Sequence, residues 1–215
     1  KQKTAYEIRP RDWSSDVCSS DLGCIGARDG LVIRNVGMNP TRVGLLTILR
    51  AMGARIEVMN ERSAGSEPVA DLLVRKSALH GIDVPPDLVP LAIDEFPILF
   101  IAAAAASGTS TVTGAQELRK KETDRIAVMA RGLAAVGVTV DEMPDGARIV
   151  GGGLRGGTVD SRGDHRIAMS FAVASLLASE PIDILNTAEV ATSFPNFLAV
   201  AAAAGLNVQT GDGRQ

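Results

Sequence analysis

Cysteine is scarce in this chain: Cys18 and Cys24 are the only two among 215 residues. Their spacing matches neither a zinc site nor a disulfide framework. A chain with so little cysteine is typical of a reducing compartment. The cysteines therefore predict neither a zinc site nor a disulfide-stabilised fold.

Long apolar runs and an excess of positive charge are also missing. The most apolar stretches, residues 98–106 and 169–178, are much shorter than the roughly 20 residues that a membrane-spanning helix needs. A formal net charge of -3 argues against a nucleic-acid surface, although a local cluster of cations can still bind a small anion. With 46% hydrophobic and 22% charged residues, the composition is that of an ordinary globular chain. We expect no membrane segment and no nucleic-acid partner.

Residues 1–22 differ from the remainder of the chain. They show neither strand nor helix periodicity, and they lack the apolar segment of a signal peptide. The stretch resembles the translation of a common short-read sequencing adaptor, so we expect a non-native tail with little order. The alternative is a natural disordered tail. On the first interpretation, residues 23–215 form one domain and a preceding part of the natural protein lies outside this chain.

A repeated unit organises residues 23–215. Residues 134–140 and 202–208 align almost position for position, each with a helix end, a glycine and a short strand. A partial earlier copy contains a strand at 31–35 and a helix at 42–52. Short strands beside alanine-rich helices predict an α/β lobe in which the helices pack inside sheets.

Helix boundaries follow from the same repeats. Asp94 and Asp164 are expected to be N-caps, because aspartate accepts hydrogen bonds from the free N–H groups of a first turn. Gly53, Gly137 and Gly205 are expected to end helices, since glycine adopts the left-handed conformation that a helix C-terminus favours.

Charged residues cluster at the predicted helix starts, at 94–95, 119–125 and 162–166. If the repeats stack as equivalent units, these clusters come to one end of the lobe. Arginine binds carboxylate and phosphate through a planar fork, and lysine supplies a mobile positive charge. A carboxylate among such cations stays ionised and can act as a base, while a less solvated one can donate a proton. The pattern favours a reaction on a phosphorylated and carboxylated substrate.

Simpler explanations exist for each cluster alone. Residues 119–125 fit a solvated helix face with ion pairs between neighbouring turns. Asp94 and Asp164 fit plain helix caps. His165 fits a loop residue that makes a hydrogen bond.

Taken together, the clusters resemble the EPSP synthase family. The resemblance is carried by residues 117–125, which include Lys-Glu-Thr-Asp-Arg, by 164–170, which begin Asp-His-Arg, and by 191–197, with 92–97 and 38–42 in the matching order. It spans roughly residues 28–210. It implies the C-terminal lobe of a two-lobed enolpyruvyl transferase built from repeated βαβαββ units, an inverted α/β barrel whose helix N-termini face a cleft.

The resemblance also implies a reaction. The enolpyruvyl group of phosphoenolpyruvate passes to the 5-hydroxyl of shikimate 3-phosphate, and phosphate is released through a tetrahedral intermediate. Asp94 would take the hydroxyl proton, and Glu122 would protonate the methylene carbon of phosphoenolpyruvate. No metal and no organic cofactor are implied.

Four further residues would bind the substrates on this basis. Lys121 would contact shikimate 3-phosphate near the reacting centre. Arg125 and Arg166 would hold the carboxylate and phosphate of phosphoenolpyruvate, with His165 beside them. One departure is Thr192, which stands where many relatives carry a lysine, so one cation contact is missing or is supplied elsewhere.

Two alternatives remain at this point: a relative that transfers enolpyruvyl to UDP-N-acetylglucosamine, and a non-catalytic repeat domain that binds phosphorylated ligands. The resemblance further implies a monomer when full length and a bacterial cytoplasmic location. Because the N-terminal lobe of the family is missing, we expect the chain alone to bind anions without turnover.

Overall fold

Short strands alternate with helices throughout residues 6–8, 30–41, 43–203 and 205–209, the parts of the chain that the computed structural model describes. The strands are β1 Tyr6–Ile8, β2 Leu31–Gly37, β3 Arg55–Ala64, β4 Glu67–Arg75, β5 Thr109–Val112, β6 Thr139–Met143, β7 Gly146–Val150, β8 Gly157–Asp160 and β9 Ile182–Leu185. The α-helices are α1 Gly44–Ala51, α2 Phe96–Ala105, α3 Arg125–Ala135, α4 His165–Ala174, α5 Ala188–Ser193 and α6 Phe197–Ala203. Three 3₁₀ helices lie between them, at Pro86–Leu88, Pro90–Glu95 and Gln116–Lys120.

The strands form three small sheets. Their orders are β1-β2-β4-β3, β5-β7-β6 and β8-β9. The β3–β4 and β6–β7 pairs are antiparallel hairpins, whereas β1–β2 and β8–β9 are parallel. Apart from β1, each sheet belongs to one copy of the repeated unit, which confirms the predicted α/β architecture.

Helix α2 lies in the core. Its residues from Phe96 to Ala104 are all buried, because the helix is apolar on every side. Its small alanine side chains allow α4 to pack closely against it, and α2 also contacts α3 and β7. Helix α2 thus lies inside the lobe, as the sequence predicts, whereas α5 has no buried residues. None of the helices in the described ranges is long and apolar enough to cross a bilayer.

Glycines with positive φ follow the helices that the repeats predict. Gly53, Gly137 and Gly205 have φ values of 94°, 83° and 99°, a conformation in which other residues are strained. Each therefore ends its helix and turns the chain toward the next segment.

The third repeat differs from the prediction after its last helix. Residues 206–209 form no strand in the structure, although their counterpart after Gly137 forms β6. Strand β6 pairs with β7, while the described residues after Gly205 have no such partner. A single extended segment is not a stable strand without a neighbour.

Order at Tyr6–Ile8 also differs from the expectation for residues 1–22. These three residues form β1, which pairs in parallel with Leu31–Ile33. Tyrosine and isoleucine favour strands, and the free edge of β2 offers unpaired backbone groups. The remainder of residues 1–22 lies outside the described part of the chain, and the foreign origin of this stretch stays a prediction.

Candidate active site

The N-termini of α3 and α4 meet at a buried ion pair. Asp164 caps α4, because its Oδ1 accepts hydrogen bonds from the backbone N–H groups of Arg166 (2.9 Å) and Ile167 (3.4 Å). Its Oδ2 accepts a 2.8 Å hydrogen bond from Nε of Arg125, the first residue of α3. Asp164 and Arg125 have exposed fractions of 0% and 1%. The predicted cap is confirmed, and the same carboxylate joins two segments that lie 39 residues apart.

Arg125 gathers three carboxylates. Besides Asp164, its Nη1 lies 3.3 Å from Asp94 Oδ1, and its Nη2 lies 2.6 Å from Glu122 Oε2. The two side chains expected to do proton chemistry therefore contact one guanidinium, far inside the roughly 15 Å beyond which they could not share a small ligand. Because both Nη atoms already contact carboxylates, an anion that binds Arg125 competes with Asp94 and Glu122 for it.

Asp94 does not cap a helix, which corrects the sequence prediction. It lies in the 3₁₀ helix Pro90–Glu95, and α2 begins one residue later with Glu95 at its N-cap and no side-chain cap. The 3₁₀ helix that starts at Pro90 places Asp94 one residue before the N-cap position of α2. The carboxylate instead contacts Lys121 Nζ at 3.2 Å and Arg125, and its side chain stays 43% exposed.

Arg166 completes the group of cations around Asp94. Its Nη1 donates a 3.2 Å hydrogen bond to the backbone carbonyl of Asp94. Partial burial alone would raise the pKa of Asp94, but Arg166, Lys121 and Arg125 outweigh that effect and hold the pKa below its ordinary value. Asp94 is therefore ionised at neutral pH.

Lys121 has a second carboxylate partner that sequence analysis did not identify. Glu117 Oε1 lies 2.8 Å from Lys121 Nζ, four residues along the chain. This hydrogen bond is the largest influence on Lys121, and together with Asp94 it raises the lysine pKa despite desolvation. The spacing of four residues was the available signal, since opposite charges at that distance meet on one helical face. Lys121 is thus a fixed ammonium group at the edge of the site.

His165 lies at the first turn of α4 and is half-buried. Burial is the main cause of its lowered pKa, and the neighbouring Arg166 lowers it further. The imidazole is therefore neutral at neutral pH. It can exchange hydrogen bonds with a substrate but adds no positive charge.

Thr192 is exposed on α5, a helix that packs against α4. Its hydroxyl carries no charge, so position 192 supplies no cation. Within the described residues, no cluster of three or more His, Cys, Asp or Glu side chains is arranged to hold a metal ion. Ion pairs with Lys and Arg occupy the carboxylates described above, and this arrangement suits an anionic organic substrate better than a cation.

Comparison with known proteins adds independent evidence. The family model described as EPSP synthase (3-phosphoshikimate 1-carboxyvinyltransferase) matches residues 12–200. This match begins inside the stretch 1–22. A 3-phosphoshikimate 1-carboxyvinyltransferase from Acidithiobacillus ferrooxidans is 57% identical over 195 residues, which are 89% of this chain and 45% of that protein. One from Methylococcus capsulatus is 54% identical over 202 residues, 92% and 46% of the two chains.

Solved structures show the same relationship. EPSP synthase from Acinetobacter baumannii superimposes with a TM-score of 0.89 at 49% identity, covering 93% of this chain and 47% of that one. The enolpyruvyl transferase NikO from Streptomyces tendae shares the fold, with a TM-score of 0.73 at 18% identity over 92% of this chain and 44% of that one. The chain spans about half the length of the curated relatives it matches. With its signature segments joined at Arg125 and a family match over most of its length, the chain belongs to the EPSP synthase family.

Proposed function

We propose that this chain provides one lobe of an enzyme that transfers the enolpyruvyl group of phosphoenolpyruvate to the 5-hydroxyl of shikimate 3-phosphate. The observation that carries the proposal is the convergence of Asp94 and Glu122 on Arg125, with Lys121 and Arg166 beside them. The names of the relatives at 53–57% identity support the same reaction.

Addition is the first chemical step. The 5-hydroxyl oxygen forms a bond to C2 of phosphoenolpyruvate, the hydroxyl proton passes to a base, and C3 receives a proton. Phosphate then leaves as the C2–O bond breaks, and C3 loses a proton to restore the double bond. The products are the enolpyruvyl ether and inorganic phosphate, so no external reductant or oxidant is required.

Asp94 is the proposed base. Its lowered pKa in the free chain makes it a weak one, because three cations stabilise its charge. Substrate phosphate and carboxylate groups compete for those cations, and each contact they take from Asp94 raises its pKa toward a more basic value. Substrate binding thus activates the carboxylate, and this is the expected behaviour of a base that operates only in the complex.

Glu122 is the proposed proton donor to C3. Its side chain is 56% exposed and contacts Arg125 at 2.6 Å, so it lies on the solvent-exposed side of the ion-pair cluster. A substrate anion that binds Arg125 releases this carboxylate for proton exchange. The two carboxylates then have separate tasks set by their surroundings.

Lys121, Arg125 and Arg166 are proposed to bind the anionic groups, with His165 as a neutral hydrogen-bonding neighbour. Cations already held in place by Asp164, Glu117 and the backbone need little rearrangement when charge develops on the reacting atoms. Such preorganised electrostatics is often the largest contribution to catalysis.

The second lobe is proposed to come from the family sequence that this chain does not match, and to supply the remaining phosphate contacts. The chain alone then binds anions without turnover. We also propose a monomeric state and a bacterial cytoplasmic location for the full-length protein, whose relatives are bacterial.

The test joins this chain to the portion of the Acidithiobacillus ferrooxidans relative that it does not match, hereafter the hybrid, and measures phosphate release. The expected result is release from phosphoenolpyruvate that requires shikimate 3-phosphate, with none from the chain alone. Release that requires UDP-N-acetylglucosamine instead would favour the sister transferase. A folded hybrid that binds phosphoenolpyruvate without any release would favour the non-catalytic domain.

A further inference from the structure

All three guanidinium nitrogens of Arg119 bind other groups of the protein. Its Nε and Nη2 each donate a 2.7 Å hydrogen bond to a backbone carbonyl, those of Pro144 and Met143. Nη2 also lies 2.9 Å from Glu142 Oε1, and Nη1 lies 2.7 Å from Asp124 Oδ2. The pKa of Arg119 is raised, with the hydrogen bond to Asp124 as the largest cause, although the side chain keeps 26% of its surface exposed.

These contacts close a short loop at both ends. Arg119 lies near the end of the 3₁₀ helix Gln116–Lys120, and Asp124 is the N-cap of α3, where its Oδ1 accepts from the Ala127 N–H. Residues 120–123 lie between them and carry Lys121 and Glu122. One side chain therefore ties the beginning of this loop to its end.

The same side chain fastens the loop to the β6–β7 hairpin. The turn of that hairpin also holds the chain before the loop, because Asp145 accepts hydrogen bonds from the N–H groups of Ala115 and Gly114, both at 2.7 Å. The hairpin lies 23–31 residues away in sequence from these partners, since Arg119 and Glu142 differ by 23 and Gly114 and Asp145 by 31. The loop thus rests on the β6–β7 hairpin, which is part of a three-stranded sheet with β5.

We propose that Arg119 is a positioning residue, which holds Lys121 and Glu122 in the arrangement that the reaction requires by locking their loop to the β6–β7 hairpin. The catalytic part of this proposal rests on the proposed function, whereas the positioning part does not. Arg119 is not assigned a substrate contact, because its donors point to the hairpin and to Asp124. Lysine cannot replace it, since a single ammonium group cannot reach two carbonyls and two carboxylates in the fork geometry of arginine.

The pKa of Lys121 indicates the position of the loop of residues 120–123, and it can be measured in the 215-residue chain. Its contacts with Glu117, at 2.8 Å, and Asp94, at 3.2 Å, raise its pKa. Loss of a nearby cation by Arg119→Ala raises the Lys121 pKa further through simple electrostatics. Release of the loop has the opposite sign, because the lysine leaves its carboxylates and its pKa falls toward the ordinary 10.5.

The experiment follows the lysine pKa values by NMR of ¹³C-dimethylated lysines, with Lys121 identified by its missing signal in Lys121→Arg. We expect a lowered Lys121 pKa in Arg119→Ala and in Arg119→Lys, together with faster amide exchange at residues 120–123. Arg148→Ala is the control, because Arg148 is an exposed arginine of β7 on the same hairpin. An unchanged or higher Lys121 pKa in a folded Arg119→Lys would overturn the proposal.

Kinetics of the hybrid give the second measurement. Displacement of a catalytic group by about 1 Å costs on the order of 100-fold in rate, so Arg119→Ala is expected to lower kcat by about 10- to 100-fold. Because Lys121 is a proposed substrate contact, KM is expected to rise as well. Because the Arg119 side chain is partly exposed, tens of millimolar guanidinium is expected to restore part of the rate. Equal losses in Arg148→Ala would contradict a specific role. If the unmodified hybrid is inactive, the proposed reaction fails, and the lysine titration still decides the positioning.

Discussion

The substitution Asp164→Asn separates the two roles of the buried aspartate, which caps helix α4 and forms an ion pair with Arg125. Asparagine is as good an N-cap as aspartate, so the hydrogen bonds to the Arg166 and Ile167 amides can be kept. Its amide nitrogen then faces Arg125 Nε. In the unmodified protein a carboxylate oxygen accepts a 2.8 Å hydrogen bond from Nε at this position. If the amide turns over, the nitrogen faces the backbone donors instead. In both orientations one donor opposes another.

The structure sets the size of the effect. Removal of one partner from a buried ion pair costs about 3–5 kcal/mol. Arg125 keeps Asp94 and Glu122, but their side chains are 43% and 56% exposed, and their contacts are screened by solvent. We therefore expect a loss near the lower end, about 3 kcal/mol of unfolding free energy.

Urea unfolding of the chain at neutral pH measures this loss. The denaturant dependence should stay unchanged while the midpoint falls. Asp183→Asn is the matched control, because Asp183 is exposed on β9, and it should stay within about 0.5 kcal/mol of the unmodified chain. A loss of less than about 0.5 kcal/mol in Asp164→Asn would refute the view that this pair joins the two helices.

Three further predictions concern other parts of the lobe. Burial would raise the pKa of Asp71, but hydrogen bonds from Asn35, Asn60 and Arg62 lower it to about 2 from 3.8. Because the pKa is lower in the folded state, the ionised Asp71 stabilises the protein above pH 3.8, and this stabilisation is lost as the pH falls through about 2. Asp71→Asn should thus lower the free energy of unfolding by about 2 kcal/mol at pH 7. Urea unfolding should show that the variant and the unmodified chain become equally stable near pH 2. Gly132→Ala should destabilise by about 1–3 kcal/mol despite the better helix propensity of alanine, because the new Cβ would lie 2.4 Å from Phe171 Cζ; thermal unfolding checks this. His165 should titrate below 6.5 by NMR, and Arg166→Gln should raise its pKa, since Arg166 is one of the causes of the shift.

The repeats and the family motifs could be predicted because their signals are local. Glycine after a helix, alanine-rich segments and short alternating strands each follow from a few neighbouring residues. The N-cap at Asp164 was predicted for the same reason and is confirmed. The same rule was wrong at Asp94, because Pro90 starts a 3₁₀ turn that ends before α2 and leaves Asp94 outside the cap position.

Distant partners explain what the sequence did not predict. Arg119 finds its carbonyls 24 and 25 residues away on a hairpin, and no local pattern marks that contact. Arg125 has the sequence context of an exposed substrate ligand, yet it is buried because Asp164 approaches from 39 residues away. The residue types of the site could thus be predicted from sequence, whereas its ion-pair partners required the fold.

Phosphate release by the hybrid, measured side by side for the unmodified protein, Asp94→Asn and Glu122→Gln, tests the proposed reaction and both proton-transfer roles most directly. Both substitutions keep the shape of the side chain and remove its ionisable group. We expect release that depends on shikimate 3-phosphate and falls by at least about 100-fold in each variant, with Asp183→Asn unchanged. Release that persists in either variant, or that is indifferent to shikimate 3-phosphate, would contradict the account.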